Sequence, residues 1–271
     1  MNRRDRPSAP HSLMPLLADP ARLRRAARAC MRSGSAPGPN GVSWAAYRDQ
    51  LDQHIATLTT RLADGTWQPG PCRPAALDVG DKTISITIPN VEDRIVHRAM
   101  RACIEPILDS AAYPEWMFGW RPRRGRVDAL DYASRYLATD PSRWVADVDV
   151  AAATAGMRLE SAVDALARWI NDGSFLQLAR RALAALPEPL APGSGLTPML
   201  TNLRLLPVDE CLVDLPIIRV TDNYAVFTAT HAEAEAAFVR VTDALSAAGL
   251  RANARKSKVW QPNPEDLFLA G

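Results

Sequence analysis

The run Arg219-Val220-Thr221-Asp222-Asn223-Tyr224-Ala225-Val226-Phe227 sets a short polar tip between apolar residues. That is the pattern of a β-hairpin raising a carboxylate at its turn. Asp-Asn is also an ordinary turn pair, so the tip gains meaning from a second acidic run. Trp144-Val145-Ala146-Asp147-Val148-Asp149-Val150 reads as a buried strand carrying carboxylates. Two separated strands that each present an Asp are what two-metal phosphoryl transfer requires. Hard cations such as Mg2+ take oxygen ligands and sit about 3.5–4 Å apart, holding the attacking and leaving oxygens.

Other segments carry residue types suited to phosphates. Phe118-Gly119-Trp120-Arg121-Pro122-Arg123-Arg124-Gly125-Arg126 interleaves arginines with aromatics and glycines, a nucleic-acid or triphosphate pattern that an ordinary surface loop can also show. Pro192-Gly193-Ser194-Gly195-Leu196-Thr197-Pro198 is a glycine-rich loop of the kind that lets backbone approach a base or phosphate. Ala21 to Arg32 reads as an arginine-rich helix, either a solvated face or a phosphate-gripping arm.

These residues need a scaffold, and the periodicity supplies one. Ser43 caps a helix running to about Ala63 with Leu51, Ile55, Leu58 and Leu62 on one face. Ile84, Ile86 and Ile88 alternate with polar residues in a half-buried strand that Pro89 stops, and a helix follows from about Val91 to Leu108. Leu159, Val163, Leu166 and Ile170 define a helix that Asn171-Asp172-Gly173 closes, and a second runs from about Phe175 to Leu186. A helix bearing Leu200, Leu203 and Leu206 follows the glycine-rich loop, and His231 to Ala248 forms the last, with Gly249 as its stop. Helices alternating with strands predict a mixed α/β (α+β) fold.

Composition sets the bounds. The 271 residues suffice for one large domain or two small ones, and 47% hydrophobic residues imply a sizeable core. A formal net charge of +2 does not by itself announce nucleic acid, so local clusters must make that case. Cys30, Cys72, Cys103 and Cys211 are widely spaced and read as reduced, buried thiols. No secretory segment or membrane-spanning run is apparent, and a cytoplasmic location is expected.

In this order the motifs resemble the reverse transcriptases of bacterial group II introns and their relatives, from about Gly38 to the C-terminus. Pro39-Asn40-Gly41-Val42-Ser43 looks like the family's G-x-D-G-V-S, and Pro89 to Val96 like its P-T-V-x-D-R-V-V. Phe118 to Pro122 is similar to G-F-R-P, and Gly193 to Pro198, with Asn202 and Asp209 downstream, resembles G-S-P-L-S-P. Arg219 to Asn223 resembles R-Y-A-D-D, and Gly249 to Ser257 resembles G-L-x-L-N-x-x-K-T. The resemblance implies a right-hand polymerase: fingers, then a palm on an antiparallel sheet with packed helices. It divides the chain into a basic N-terminal extension (1–36), a fingers-like region (37–142) and a palm-like region with interleaved finger helices (143–271). It further implies RNA template, primer and nucleoside triphosphates as partners, no membrane, and two Mg2+ ions for which Mn2+ could substitute. By resemblance Asp149, the Val150 carbonyl and Asp222 would hold the metals. Asn223 would stand at the dyad's second position, and Lys256 near the departing pyrophosphate. Arg94, Arg121 and Arg123 would grip triphosphate or template, and Gly193, Ser194, Gly195 and Asn202 would contact the template–nucleotide pair.

The chain departs from the pattern at several points. Asn223 replaces the second Asp. After the first catalytic Asp the family has G-F-F-D-N-I, whereas Ala152-Ala153-Thr154-Ala155-Gly156-Met157 stands here, putting Thr154 in the place of the ring that excludes a 2′-hydroxyl. If Asp147 were the ligand instead of Asp149, Ala152 would take that place. In the fingers strand the nearest cation to Pro89 is Lys82, where the family has an Arg close to the proline. Phe268-Leu269-Ala270-Gly271 resembles the F-L-G that precedes the thumb, so the thumb is expected to be absent or supplied by another chain. These departures leave three readings: a polymerase with relaxed sugar choice, an impaired RNA-binding module, and a remnant of a mobile element.

Overall fold

A computed structural model describes residues 12–33, 36–79, 82–137 and 143–267. Residues 1–11 of the basic extension and the Phe268–Gly271 motif lie outside the described residues. In chain order the elements are α1 (Met14–Leu17), α2 (Pro20–Ser33), α3 (Trp44–Asp49), α4 (Leu51–Ala63), β1 (Arg73–Val79), β2 (Lys82–Ile88), α5 (Val91–Ala111), β3 (Met117–Phe118) and α6 (Arg126–Leu137). There follow β4 (Trp144–Asp149), α7 (Leu159–Ala167), α8 (Gly173–Ala184), α9 (Thr197–Glu210), β5 (Ile217–Val220), β6 (Asn223–Thr228), α10 (His231–Ala247) and β7 (Lys258–Trp260). The mixed α/β class is as the periodicity implies. No described helix is long and apolar enough to cross a membrane.

The chain forms two compact units that do not follow linear boundaries at 36 and 142. One takes the residues up to Ala111 together with Thr154–Leu200, and the other takes Ala112–Ala153 with Thr201 onward. The first is helical apart from the antiparallel β1–β2 hairpin. Ser43 caps α3 by accepting from the Ala46 amide, as its sequence position requires, but the expected single helix breaks at Gln50. Asp172 does not close the helix before it. It caps α8 by accepting from the Phe175 amide, while its other oxygen accepts from the amides of Leu13 and Met14. An Asp before a helix satisfies otherwise orphaned N–H groups, so one residue type can mark an end or a start.

The second unit is built on a five-stranded sheet of order β3-β5-β6-β4-β7. Four strands are antiparallel, and the two-residue β3 adds to β5 in parallel, so the sheet is mixed rather than wholly antiparallel. Along β4 and β6 the side chains alternate. Ala146, Val148, Tyr224 and Val226 pack with Val208, Val241 and Leu245, whereas Val145, Ala225 and Phe227 pack with Ala129, Ala133 and Leu137 of α6. Covering both faces explains why Tyr224 to Phe227 reads as a continuous apolar run. A capping box of Thr230 and Glu233 starts α10, and Gly249, at φ 71°, follows its end. Of the four free cysteines only Cys103 is buried. Cys211, in the turn after α9, is exposed, contrary to the expectation of buried thiols.

Candidate functional site

In β5–β6, Val220 lies opposite Asn223, which leaves Thr221 and Asp222 as a two-residue turn. Thr221 has φ 55°. A β-branched residue in this region costs on the order of 1–3 kcal/mol and persists only where its surroundings dictate it. Here they do. The Thr221 amide donates to the Phe118 carbonyl at 3.0 Å, and its own carbonyl accepts from Arg219 Nη1 at 2.7 Å. Gly119 makes room for it, since a Cβ there would fall 2.6 Å from Thr221 Cγ2. The Thr221 hydroxyl then donates to Asp222 Oδ1 at 3.0 Å.

The strand pairing separates the two upstream aspartates by position. Asp149 stands opposite Asn223, and the next amide, Val150, donates to the Asp222 carbonyl at 3.1 Å. Asp149 therefore abuts the turn. Asp147 lies two residues further into the sheet, opposite Ala225 and Lys258. Burial pushes the Asp147 carboxyl up to about 6, with Asp149 adding to the rise and Lys258 and Trp260 opposing it.

Asp149 is held from one short segment. Asn253 Nδ2 donates to its Oδ1 at 2.9 Å and Lys256 Nζ to its Oδ2 at 3.2 Å, while the Asn253 amide donates to its carbonyl at 2.7 Å. Its own amide donates to Ser257 Oγ at 3.1 Å. Burial raises the Asp222 carboxyl above the ordinary range, and the Asp149 charge raises it further against the pull of Thr221 and Lys256. Two carboxylates beside one ammonium leave a negative corner that a cation would relieve. Each carboxylate oxygen has a second lone pair, so the bonds from Asn253 and Lys256 leave Asp149 able to ligate. Asp149, Asp222 and a backbone carbonyl are the oxygen donors that could serve a hard divalent ion; no cluster of three or more His, Cys, Asp or Glu occurs among the described residues.

Asn253, Ser257 and Thr221 received no role from the sequence. The signal for the first was its spacing to Lys256. The Asn253 side chain accepts from the Arg255 amide and its carbonyl from those of Lys256 and Ser257, a tight turn that sets positions 253 and 256 side by side.

Beneath the hairpin lies a buried polar network. Arg219, wholly buried, donates through Nε and Nη2 to the two oxygens of Asp209 at 2.9 and 2.6 Å, and through Nη1 to Asn202 Oδ1 at 3.0 Å. Tyr224 donates its hydroxyl to Asp209 Oδ1 at 2.9 Å. Asn202, expected at the template, is thus a buried acceptor for Arg219.

Other candidates are also placed in contact with the protein itself. Arg121 is buried and donates to the carbonyls of Pro114 and Met117 at 2.7 and 3.3 Å, whereas Arg123 is exposed. Gly193, at φ 102°, meets strand β2: a Cβ there would lie 2.0 Å from the Thr87 carbonyl oxygen. Ser194 is buried, with its hydroxyl 3.2 Å from His97 Nδ1, and Gly195 lies against His97 of α5. Arg94 donates to the Ala36 carbonyl at 2.9 Å and sits over Trp44. These four belong to the helical unit. So does the half-buried Thr154, whereas Ala152, exposed at φ 51°, belongs to the sheet unit. The structure therefore brings together Asp149, Val150, Asp222, Asn223 and Lys256.

No family model matches the chain. It is 29% identical over 217 residues to protein YkfC of Escherichia coli (strain K12), covering 74% of this chain and 56% of that protein. The chain thus spans a little over half the length of this curated relative.

Proposed function

We propose that the chain carries a reverse-transcriptase-like site for template-directed nucleotidyl transfer, with the sheet unit as the core of a palm. The observation that carries this reading is the meeting of Asp149 and Asp222 at one end of the sheet, with Lys256 against Asp149. Asp149, Asp222 and the Val150 carbonyl would hold two Mg2+ ions, which when bound supply Lewis-acid stabilisation of the attacking and leaving oxygens. Lys256 offers a cation for charge developing on a departing pyrophosphate. Asn223 supplies an amide where a second carboxylate would add charge. The partners of this reading are RNA template, primer and nucleoside triphosphates, and the part of 37–142 that lies outside the sheet unit, 37–111, would contribute to the fingers.

Primer extension on an RNA template, with Mg2+ or Mn2+ and with deoxy- or ribonucleotides, tests it. Extension is expected in the wild type and is expected to fall to background in Asp222→Ala. Without a bulky ring in the 151–157 segment, ribonucleotides should be incorporated as well as deoxyribonucleotides. Extension that survives Asp222→Ala would overturn the assignment of the site.

A second reading is an RNA-binding module that does not copy its ligand. It is favoured by the engagement of both Asp149 oxygens by Asn253 and Lys256 and by the amide at position 223. RNA binding without extension in either metal, falling steeply between low and moderate salt, would select it.

A further inference from the structure

Within the helical unit two cavities of about 320 and 280 Å3 adjoin, since Arg98 and Ala102 line both. On one side α5 presents Arg94, Arg98 and Arg101. Their spacing of four and then three residues puts them on a single helix stripe. On the other side α2 presents Arg22, Arg25 and Arg32. The floor between them is small: Ala26 and Ala29 face Ala99 and Ala102.

The balance of charge is one-sided. Glu105 is the one carboxylate among the residues lining either cavity, and it is bound to Arg101. Asp19 lies 3.9 Å from Arg22 at the exposed end of α2. Cys30 of α2 faces the α5 row: burial pushes its thiol up, and Arg98 and Arg94 each pull it down. Among the described residues Arg98, which is exposed, makes no hydrogen bond or ion pair. A chain whose net charge is only +2 concentrates six of its arginines here.

We propose that the groove between α2 and α5 is an oligophosphate site, in which the arginines of the two helices grip consecutive phosphates from opposite sides. Guanidinium forks match phosphate oxygens in pairs, and the alanine floor leaves the space such a chain needs. The site lies wholly in the helical unit and uses neither Asp149 nor Asp222. It does not rest on the nucleotidyl-transfer reading.

The test is calorimetric titration of the full chain with tripolyphosphate in metal-free buffer at constant ionic strength. Tripolyphosphate is expected to bind the wild type and Asp222→Ala alike. Arg98→Ala should weaken binding by about tenfold, and Arg98→Ala with Arg25→Ala by about a hundredfold, as loss of one and two charge-assisted contacts implies. Both side chains are exposed, so the fold should be unaffected, and unchanged circular dichroism and melting temperature would check this. Arg135→Ala, exposed on α6 and outside the groove, should stay within about twofold of wild type. Absence of binding, or equal losses in Arg98→Ala and Arg135→Ala, would overturn the proposal. A single-stranded RNA oligonucleotide lacking a terminal phosphate identifies the source. Displacement of tripolyphosphate by the strand, with loss of both ligands in Arg98→Ala, supports a site for backbone phosphates. Tripolyphosphate binding that persists under saturating strand supports a site for a free oligophosphate.

Discussion

The sheet unit holds two groups of charged residues that adjoin on the β5–β6 hairpin, where Arg219 and Asp222 are three positions apart, and they are treated in opposite ways. Arg219 and Asp209 are buried and matched: the guanidinium fork meets both carboxylate oxygens, and Asn202, Tyr224 and the Thr221 carbonyl take up remaining capacity. Asp222 is unmatched: the one ammonium, Lys256, is bonded to Asp149, and burial together with the Asp149 charge opposes ionisation of Asp222. A fold stabilises charge where it needs rigidity and leaves it uncompensated where it can receive something from outside. The first group serves the second, because the bond from Arg219 to the Thr221 carbonyl fixes the strained turn that carries Asp222.

The largest expected effect comes from breaking the matched group. Arg219→Met leaves Asp209 buried beside a single phenol and should cost about 3–5 kcal/mol, read as a lower denaturation midpoint. Asp209→Leu alone should cost a similar amount. The double variant should cost less than the sum of the two by about 2 kcal/mol, because neither charge is then stranded. Strict additivity would mean the two residues are not a unit, and the contrast with the Asp149–Asp222 corner would collapse.

Asp147, two residues before Asp149 on β4, predicts the opposite sign and gives the next effect in size. Its folded value of about 6 lies above the ordinary value of 3.8. The folded state therefore binds the proton more tightly than the unfolded state between those values. The associated stability is complete below about pH 4 and is lost as pH rises through about 6. Asp147→Asn should remove this dependence and be more stable than wild type at neutral pH by about 2 kcal/mol, after allowance for partial solvent access. Denaturant midpoints across pH 4 to 8 would check it, and parallel curves for the two proteins would refute it.

Much of the scaffold could be read from local signals. The Ser43 cap, the polar tip at Asp222 and the Gly249 stop after α10 are all encoded within a few residues. What stayed hidden depended on partners distant in the chain. Asp172 looks like a stop because its turn neighbours are local, while the amides of Leu13 and Met14 that it accepts are some 160 positions away. Asp147 and Asp149 lie on one strand face, and only the pairing of β4 with β6 shows which abuts the turn. Arg121 and Gly193 have types suited to nucleic acid, but the carbonyls of Pro114 and Met117 claim the one and the Thr87 backbone the other. Helix α6 and strand β1 went unread because neither carries a long apolar stripe.

The smallest effect tests the corner itself. Asp222→Asn keeps the shape of the side chain and its acceptor for the Thr221 hydroxyl but removes the charge that burial and Asp149 oppose. The folded-state value of Asp222 is raised, so its ionisation subtracts stability as pH rises past the ordinary carboxylate range. The variant should therefore be as stable as wild type at low pH and more stable at pH 7. Lys256→Met should act the other way on the wild-type side chain. With the ammonium gone from beside Asp149, Asp222 should titrate at a still higher pH, measurable by carboxyl-carbon NMR. Divalent metal should narrow the stability gap between Asp222→Asn and wild type, because it binds the folded wild-type protein more tightly than the variant. An Asp222→Asn protein that is less stable than wild type at neutral pH, with or without Mg2+, would mean that this carboxylate is matched after all and that the two groups do not differ.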